Sequence, residues 1–369
     1  MKYYIIAGET SGDLHGSNLV KHIYQHDHEA NIRAWGGNLL RRQGAEVVKD
    51  YKDLAFMGFV EVALHLRTIL SNIQFCKQDI IDFQPDVVIL IDYPGFNLHI
   101  AKFLHQQHIK TYYYISPQIW AWHGSRIKQI KKYVNEMFVI LPFEKDFYAS
   151  HSFPVHYLGH PLLDAIKNHP INKDFIATNN LDSRPIIAIL PGSRKQELKN
   201  MLKVMLQVTK HINDFQIVIA GVEHLKPIYT RLCKNHSVQI VYNQTYSLLA
   251  HSHAAMATSG TATLETALFN VPQVVCYKGN LFSYLIAKYL IKNIQYISLV
   301  NLIANKSVVI ELIQHQMNTK LLSEELNRLV YNQAYRQQIL SDYKHIQTQL
   351  GDGNVSDSIA QKIVNLLKE

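Results

Sequence analysis

Thr258-Ser-Gly-Thr-Ala-Thr-Leu-Glu265 follows an apolar run that predicts a buried strand, and it opens directly into a helical pattern. Ile189-Leu-Pro-Gly-Ser-Arg194 follows a similar apolar run about 70 residues earlier. A strand that turns through Gly and Ser or Thr into a helix leaves backbone N–H groups unpaired, and such a turn suits a phosphate. Arg194 adds positive charge, and Glu265 is placed one turn into its helix to accept hydrogen bonds from a ribose. The two segments predict a nucleotide-diphosphate site formed by Gly192, Ser193, Arg194, Ser259, Gly260, Thr261 and Glu265.

The composition is that of a globular protein too long for a single hydrophobic core. Of its 369 residues, 47% are hydrophobic and 18% are charged, so two domains are expected. The three cysteines, Cys76, Cys233 and Cys276, show no C-x-x-C spacing, which argues against a disulfide framework and fits a reducing cytoplasm. The first apolar run, Tyr3–Ala7, predicts a strand rather than a signal peptide.

The formal net charge is +8, which suits nucleic acid, an anionic membrane surface or phosphorylated substrates equally well. A basic surface without any such partner is the simpler alternative. No nucleic-acid-binding signature accompanies the charge, so no nucleic-acid partner is predicted. Residues 235–264 lack Lys, Arg, Asp and Glu but contain several amide, hydroxyl and imidazole side chains, so no transmembrane helix is predicted.

Strand-like and helix-like segments alternate through the first half of the chain, which predicts a doubly wound α/β domain with a mostly parallel sheet. The predicted strands are Tyr3–Ala7, Asn31–Trp35, Asp86–Ile91, Thr111–Ile115, Glu136–Leu141 and Val155–Leu158. The predicted helices are Gly12–Gln25, Val60–Phe83, Asn97–Gln107 and Ser125–Tyr133.

The region His160–Arg184 is rich in Pro, Asn, Asp and Lys without a strong period, and we interpret it as a linker. The alternation then resumes, with helices predicted at Lys195–Ile212, after Thr261 and over about the last 45 residues. The predicted strands are Pro185–Leu190, Phe215–Ala220, Val238–Tyr242, His253–Ala257 and Gln273–Tyr277. Two similar α/β halves around a cleft are the simplest architecture, with ligands at the carboxyl ends of the strands.

Asp92 follows the apolar strand Val87–Ile91, a position that predicts a general base pointing into the cleft. The alternative is that Asp92 caps the next helix, although Asn97 is better placed for that role. The loop after the first strand either lets a sugar or phosphate approach the backbone or is an ordinary turn capped by Ser11 and Asp13. Its candidate residues are Gly8, Glu9, Ser11, Gly12 and Asp13, and their spacing is not that of G-x-G-x-x-G.

Two further stretches of the first half are candidates for contact with sugars or lipids. Ser116–Trp122, followed by Arg126 and Lys128, places aromatic rings beside cations, an arrangement that suits a sugar face or lipid headgroups or else covers a sheet edge. The segment 54–70 is either core or an exposed patch that dips into a bilayer or holds acyl chains. The candidate patch residues are Phe56, Met57, Phe59, Val60, Leu66 and Ile69.

Nine segments, in order along nearly the whole chain, resemble the lipid-A-disaccharide synthase family. They are Gly8-Glu-Thr-Ser-Gly-Asp13, Met57-Gly-Phe-Val-Glu61, Ile91-Asp-Tyr-Pro-Gly-Phe-Asn97, Tyr114-Ile-Ser-Pro-Gln-Ile-Trp-Ala-Trp122, Leu141-Pro-Phe-Glu-Lys145, Gly159-His-Pro161, Leu190-Pro-Gly-Ser-Arg194, Ser259-Gly-Thr-Ala-Thr-Leu-Glu265 and Ser298-Leu-Val-Asn-Leu302. Any one of these motifs is weak, but the whole series in this order is specific.

The resemblance implies a GT-B fold, in which two Rossmann-like domains face a central cleft. Residues 1–163 are then an acceptor and membrane domain, completed by a C-terminal helix at about 345–369, and residues 164–344 are a UDP-sugar domain. The implied reaction joins UDP-2,3-diacylglucosamine to the 6-hydroxyl of 2,3-diacylglucosamine 1-phosphate, giving a β-1,6 disaccharide and UDP. The enzyme is expected in the cytoplasm, peripheral on the anionic inner face of the inner membrane, with a homodimer as one option for its assembly.

The resemblance also implies roles for individual residues. Asp92 matches the catalytic base, Arg194 the pyrophosphate-binding arginine, Asn301 a residue needed for activity, and Glu265 the ribose-binding acid. The sequence has no Asp-x-Asp motif, and His251 and His253 have no Cys or clustered carboxylates to complete a metal site, so neither metal nor cofactor is expected. Gly95 stands where many relatives carry Asp, so no role is assigned to that position.

Two other functions remain as alternatives. A non-hydrolysing UDP-N-acetylglucosamine 2-epimerase shares this fold and would keep the UDP site, but it needs acid and base groups around C2 of the sugar. A basic module that binds membranes or nucleic acid would bind with salt sensitivity and without UDP affinity. That second alternative leaves Arg194 and Glu265 without a role.

Overall fold

The computed structural model of the chain describes residues 1–54, 66–121, 124–279 and 295–369. The chain forms two compact units. One unit comprises Met1–Asp164 together with Leu350–Glu369, and the other comprises Ala165–Gln349. Within the described ranges, no helix is long and apolar enough to cross a membrane.

The described part of the first unit is built on a seven-stranded sheet in which neighbouring strands are parallel. Its strands are β1 Lys2–Ala7, β2 Asn31–Gly36, β3 Glu46–Asp50, β4 Val87–Ile91, β5 Lys110–Tyr114, β6 Glu136–Val139 and β7 His156–Tyr157, in the order β3-β2-β1-β4-β5-β6-β7. Along β1, Tyr3 and Ile5 lie in one core cluster, whereas Tyr4 and Ile6 lie in another. The central strands are therefore apolar on both faces, as expected for a sheet covered by helices on both sides.

The described part of the second unit contains a six-stranded parallel sheet. Its strands are β8 Ile186–Leu190, β9 Gln216–Gly221, β10 Gln239–Tyr242, β11 Ser252–Thr258, β12 Gln273–Tyr277 and β13 Glu311–Ile313, in the order β10-β9-β8-β11-β12-β13. In both sheets the chain starts in the middle, extends one side and then returns to build the other. The prediction of two doubly wound parallel α/β domains is confirmed.

Helices of the described chain connect the strands, and we number them in chain order. They are α1 Thr10–His26, α2 Asn38–Arg42, α3 Leu66–Phe83, α4 Pro94–Gln106, α5 Ile127–Tyr133, α6 Pro142–Ser150, α7 Leu162–Lys167, α8 Phe175–Thr178, α9 Lys195–Val208, α10 Lys226–Cys233, α11 Thr245–Ala250, α12 Thr261–Leu268, α13 Leu299–Ala304, α14 Thr319–Tyr331, α15 Gln333–Leu350 and α16 Val355–Lys368.

The last helix, α16, belongs to the first unit and packs against α1. Val355, Ile359 and Ile363 are spaced by four residues, so they lie on one face of α16, and that face is buried in the core beside β1. The carboxylate of Asp164 accepts hydrogen bonds from the first backbone N–H groups of the helix, at Val355 (3.1 Å) and Ser356 (2.7 Å). An acidic group at this end of a helix is favourable, because those N–H groups have no partner within the helix.

The structure contains several elements that the sequence analysis does not predict. The region 160–184, interpreted as a linker, contains α7 and α8, and Phe175 is wholly buried in the core of the second unit. Strand β3 is not predicted, since its sequence Glu-Val-Val-Lys-Asp is mostly polar, as is common at a sheet edge. Strand β13 has only three residues and is too short to show a period.

Candidate functional site

In each unit, the candidate residues occupy loops that leave two adjacent strands at their carboxyl ends. Ala7 at the end of β1 pairs with Ile91 at the end of β4, so the loop 8–13 and Asp92 follow neighbouring strands. Leu190 at the end of β8 pairs with Ala257 near the end of β11, which places segments 191–194 and 259–261 next to each other. Both positions are the switch points of their sheets, where the connections diverge and ligands bind in doubly wound folds.

The backbone of Asp92 is held in a strained conformation at the start of the β4–α4 loop. Asp92 and Tyr93 have positive φ angles of 45° and 46°, which cost non-glycine residues on the order of 1–3 kcal/mol each. The Asp92 N–H donates to the Tyr114 carbonyl (3.1 Å), and the Asp92 carbonyl accepts from the Asn97 amide (2.8 Å) and the Tyr113 hydroxyl (2.5 Å). These bonds fix the backbone that carries the carboxylate, and strain of this kind is common at functional positions.

Burial, and to a smaller extent the negative charge of Glu9, raise the pKa of Asp92 from 3.8 to about 6. A carboxylate with a pKa near 6 is still ionised at neutral pH but is more basic than an ordinary aspartate. Asp92 therefore has the protonation behaviour of a general base that works close to neutrality.

Neither alternative prediction of a capping role at Asp92 or Asn97 is correct. Helix α4 begins at Pro94 with Tyr93 in the cap position, and Asn97 lies inside the first turn. The wholly buried Asn97 amide instead bonds back to the carbonyls of Ile91 and Asp92. Asn97 thereby ties the end of β4 to the start of α4.

The loop 8–13 packs closely against the Asp92 loop. A side chain at Gly8 would overlap the ring of Tyr93, so only glycine allows the two loops to approach this closely. Gly12 is buried beside Ala7, where an added Cβ would lie 3.2 Å from the Ala7 Cβ. Glu9 is half-buried and Ser11 is exposed, so both are accessible at this edge of the sheet.

Asp13 has a structural role that the sequence did not reveal. Its carboxylate accepts hydrogen bonds from the backbone N–H groups of Gly37 (2.7 Å), Leu39 (3.1 Å) and Leu40 (3.2 Å). These groups form the N-terminus of α2, so Asp13 caps α2 and not its own helix, whose cap residue is Glu9. The alternative in which Ser11 and Asp13 cap the turn after β1 is therefore wrong.

In the second unit, the loop after β8 presents Arg194 directly before α9. Gly192 has a φ of +95°, and a side chain there would overlap the Glu197 carboxylate. That carboxylate accepts from the Arg194 backbone N–H (3.3 Å) and lies 3.5 Å from the guanidinium. The Arg194 side chain is 67% exposed, so it is oriented by Glu197 and still accessible to an anion. Ser193, beside it, is also exposed.

The loop after β11 presents the N-terminus of α12. Gly260 has a φ of +145° and open space where a side chain would be, and both Gly260 and Thr261 are exposed. The Ser259 hydroxyl donates to the Ile297 carbonyl (3.0 Å), so this side chain holds the neighbouring loop. The free N–H groups at the start of α12 are suited to an anion.

Glu265 lies further along α12 and is partly committed to a partner in the protein. One of its carboxylate oxygens accepts a hydrogen bond from the Tyr246 hydroxyl (2.9 Å). The pKa of Glu265 is raised overall, because the effect of burial exceeds the opposing effect of this hydrogen bond. Tyr246 lies on α11, nineteen residues away, and no local motif indicates it as the partner of Glu265.

Within the described part of the chain, both ends of the Asn301 side-chain amide are hydrogen-bonded to groups of the protein. Asn301 is wholly buried on α13. Its amide nitrogen donates to the Val309 carbonyl (2.8 Å) and Glu311 (2.9 Å), and its oxygen accepts from the N–H groups of Val308 (2.8 Å) and Val309 (3.0 Å). These bonds connect α13 to the segment that leads into β13, and the assignment of Asn301 to the reacting groups stays a prediction.

Glu311 is the centre of the network around Asn301, and the sequence analysis missed it. Its carboxylate accepts from the N–H groups of Ile297 and Ser298 (2.9 Å each) and from the Ser298 hydroxyl (2.6 Å). Since Ile297 in turn accepts from Ser259, the network links β13 to the loop at the start of α12. Glu311 lies in no recognisable motif, so its role becomes visible only from the hydrogen bonds that it makes in the folded chain.

The apolar patch 54–70 lies mostly outside the described residues, which exclude Phe56, Met57, Phe59 and Val60. Leu66 is the first residue of α3, and Ile69 is half-buried one turn later. Further along the same helix, Leu70 is 56% and Phe75 48% exposed, so α3 presents large apolar side chains to solvent.

The aromatic loop after β5 is partly described, and Trp122 lies outside the described residues. The hydroxyl groups of Ser116 and Tyr148 are hydrogen-bonded at 2.6 Å, and Trp120 packs edge-on against Phe143 at 4.8 Å. Packing within the unit therefore accounts for the first part of this loop. No group of three or more His, Cys, Asp or Glu residues in the described ranges is arranged to hold a metal ion.

Two Rossmann-like units, each with its candidate residues at the switch point, define a protein of the GT-B class. The fold matches a UDP-GlcNAc 2-epimerase from Neisseria meningitidis, with a TM-score of 0.73, 16% identity and full coverage of both chains. It also matches the calicheamicin glycosyltransferase CalG4, with a TM-score of 0.61, 14% identity and 99% and 97% of the two chains covered. At these identities the matches establish the fold alone.

Sequence comparison defines the family. Residues 3–363 match the family described as lipid-A-disaccharide synthetase. A lipid-A-disaccharide synthase from Coxiella burnetii is 38% identical over 375 aligned positions, which cover 98% of each chain. The chain belongs to the lipid-A-disaccharide synthetase family, and the resemblance drawn from its nine motifs is confirmed.

Proposed function

We propose that this chain is an inverting glycosyltransferase that transfers 2,3-diacylglucosamine from UDP to the 6-hydroxyl of 2,3-diacylglucosamine 1-phosphate, releasing UDP. The observation that carries the proposal is membership of the family over nearly the whole chain. The site chemistry supports it, because one unit offers a basic carboxylate and the other offers an anion site, each at a sheet switch point. Transfer to a hydroxyl with loss of a diphosphate needs both.

In the first unit, Asp92 is the general base. It accepts the proton of the acceptor 6-hydroxyl as that oxygen attacks the anomeric carbon of the donor, and the UDP–sugar bond breaks on the opposite face. The strained backbone and the bonds from Asn97 and Tyr113 hold the carboxylate in place. General-base catalysis of this kind contributes roughly 10²–10⁴-fold to a rate.

In the second unit, Arg194 and the N-terminus of α12 stabilise the departing diphosphate, and Glu265 accepts hydrogen bonds from the ribose. A hydrogen bond to a charged group contributes about 1.5–3 kcal/mol, whereas a helix terminus at an exposed site contributes about 0.3–1 kcal/mol. Arg194 is therefore the larger contributor to UDP binding. In this proposal protein groups provide the charge compensation, without a metal or another cofactor.

We further propose that the enzyme works in the cytoplasm on the inner face of the inner membrane, bound peripherally. The exposed Leu70 and Phe75 of α3 and the net charge of +8 support this proposal. Exposed apolar side chains on a protein of positive net charge suit an anionic membrane that also holds acylated substrates.

The experiment that tests the proposed reaction is mass spectrometry of the product formed by the purified chain from the two acylated glucosamine substrates. We expect a disaccharide 1-phosphate and one equivalent of UDP. A parallel incubation with UDP-N-acetylglucosamine alone examines the 2-epimerase alternative, which shares only the fold with this chain. Formation of the epimer without any disaccharide would overturn the proposal.

A further inference from the structure

A groove in the first unit lies directly beside the Asp92 loop and has no role in the mechanism above. It is formed between α4 and α5 and has a volume of about 480 Å³, within the range of roughly 300–1,000 Å³ typical of ligand pockets. Pro94 and Gly95, the second and third residues after Asp92, form one end of it. The remaining lining residues are Leu98, His99, Lys102, Ser125, Arg126, Gln129 and Tyr133.

The lining of this groove is basic and contains no carboxylate. Arg126 is half-buried and Lys102 is exposed, and neither takes part in an ion pair among the described residues. One ring nitrogen of His99 donates to the Gly95 carbonyl (2.8 Å), and Ser125 adds a hydroxyl donor to the lining. Two cations and a hydroxyl in one groove form an environment for a phosphate group.

Arg126 is also close to the machinery that holds Asp92. The Tyr113 hydroxyl donates to the Asp92 carbonyl, and the positive charge of Arg126 acts on the same tyrosine. Burial raises the pKa of Tyr113 well above 10, and Arg126 opposes that effect. An anion at Arg126 would also lie in the groove that Pro94 and Gly95 of the Asp92 loop line.

A second groove adjoins the first across α4. It lies between α3 and α4, has a volume of about 380 Å³, and shares His99 and Lys102 with the basic groove. Its apolar lining residues are Leu70, Ile73 and Phe103, and Gln74, Lys77 and Gln106 complete the lining. The two grooves together present a phosphate environment on one side of α4 and a mixed groove with three large apolar side chains on the other.

We propose that the acceptor lies across α4, with its phosphomonoester in the basic groove at Arg126 and Lys102 and an acyl chain against Leu70, Ile73 and Phe103 of the adjoining groove. This inference rests on the proposed function, because it takes the acylated sugar phosphate as the ligand. It extends that function by assigning the residues that distinguish the acceptor from the donor. Arg126 and Lys102 are then specificity residues, and the Asp92 carboxylate is adjacent to the sugar they position.

The test compares two acceptors, 2,3-diacylglucosamine 1-phosphate and the same lipid without its phosphate, in detergent micelles. We expect Arg126→Ala to raise the KM for the phosphorylated acceptor by about 10–100-fold, the loss of one charged hydrogen bond, with kcat and the KM for the donor near wild type. The unphosphorylated acceptor should be used equally by wild type and variant. Lys102→Ala should show a smaller change of the same kind, because Lys102 is exposed.

The matched control is Lys110→Ala, which removes an exposed cation at the amino end of β5, the opposite end of the strand from the site. Equal losses for both acceptors in Arg126→Ala, or a changed KM for the donor, would overturn the assignment. A lipid headgroup is the other source of phosphate that could occupy the groove. Flotation with vesicles of phosphatidylglycerol and of phosphatidylcholine tests whether the groove binds such headgroups. If Arg126→Ala weakens binding to the anionic vesicles and leaves the preference between the two acceptors unchanged, the groove binds lipid headgroups and the proposal fails.

Calorimetric binding of both acceptors separates this inference from the proposed function. If wild type binds the phosphorylated lipid more tightly and Arg126→Ala removes that difference, the groove is assigned even when no disaccharide forms. If the wild-type chain makes disaccharide but does not distinguish the two acceptors, the proposed function holds and the groove assignment is wrong. For the acyl arm, Leu70→Ala should reduce the preference for long over short acyl chains.

Discussion

The charge of Glu9, which follows β1, raises the pKa of Asp92, which follows the neighbouring strand β4. Burial is the larger cause of the raised value of about 6, and Glu9 adds to it. One carboxylate thus tunes the other across the switch point of the first sheet. The pairing gives the loop 8–13 a function of its own, because it places a negative charge beside the proposed base.

This relationship predicts the pH dependence of the reaction. Asp92 must be ionised to accept a proton, so kcat/KM should fall as the pH drops through about 6. Glu9→Gln removes the neighbouring charge and should move this acidic limb to lower pH, while burial keeps it above the ordinary value of 3.8. The measurement is a pH profile of kcat/KM, with the exposed Glu46→Gln as the control. If the acidic fall of kcat/KM stays at the same pH in Glu9→Gln, the charge of Glu9 does not act on Asp92.

Replacement of Asp92 should lower the rate of glycosyl transfer strongly without changing the affinity for UDP. We expect Asp92→Asn to lower kcat by about 10²–10⁴-fold, the usual contribution of a general base. The dissociation constant for UDP, measured by calorimetry, should stay near wild type because the anion site lies in the other unit. Asp82→Asn, on the exposed side of α3, is the control for loss of a carboxylate. A kcat within a few fold of wild type would exclude Asp92 as the base.

The same variant should stabilise the fold at neutral pH. The pKa of Asp92 is raised from 3.8 to about 6, so the cost of its ionised form is absent below pH 3.8 and fully present above pH 6. At 1.36 kcal/mol per pKa unit this cost is about 3 kcal/mol. Asp92→Asn should therefore have a higher free energy of unfolding than wild type at pH 7.5, and the advantage should shrink at pH 5. Denaturant titrations at the two pH values measure it, and an equal effect at both would refute the explanation.

In the second unit, Arg194 should dominate the affinity for UDP. We expect Arg194→Ala to raise the dissociation constant about 10–100-fold, from the loss of a charged hydrogen bond of about 1.5–3 kcal/mol. Arg194→Lys should recover only part of this, because an ammonium lacks the bidentate fork. Arg231→Ala, an exposed arginine of α10, is the control. If calorimetry shows unchanged UDP binding in Arg194→Ala, the assignment of Arg194 to the UDP site is wrong.

Asn301→Ala distinguishes a positioning role from contact with substrate. The change leaves the buried N–H groups of Val308 and Val309 unpaired, so we expect the free energy of unfolding to fall by about 1–3 kcal/mol for each such group. UDP affinity should fall with it, because the loop that Ser259 holds through Ile297 is no longer fixed. A variant that keeps full stability and UDP affinity but loses kcat would show that Asn301 touches the reacting groups.

Local sequence patterns identified the parts of the site that depend on one strand and its following turn. Asp92 and Arg194 each follow a buried apolar strand, so their place at the carboxyl edge could be predicted. The partners of Glu265 and Asn301 could not, because Tyr246 and Glu311 reach them through tertiary contacts that no periodicity records. For Asp13 the residue was noticed, but the helix it caps begins twenty-five residues later.

Helix α16 completes the core beside β1, although its residues leave the ribosome only after the whole second unit has been translated. The growing chain must therefore carry an uncovered apolar surface on its amino-terminal half while the whole of 165–349 is being translated. Folding of that half can finish only after Val355 to Ile363 emerge. Chains whose synthesis stalls earlier should be the preferred targets of chaperones and proteases.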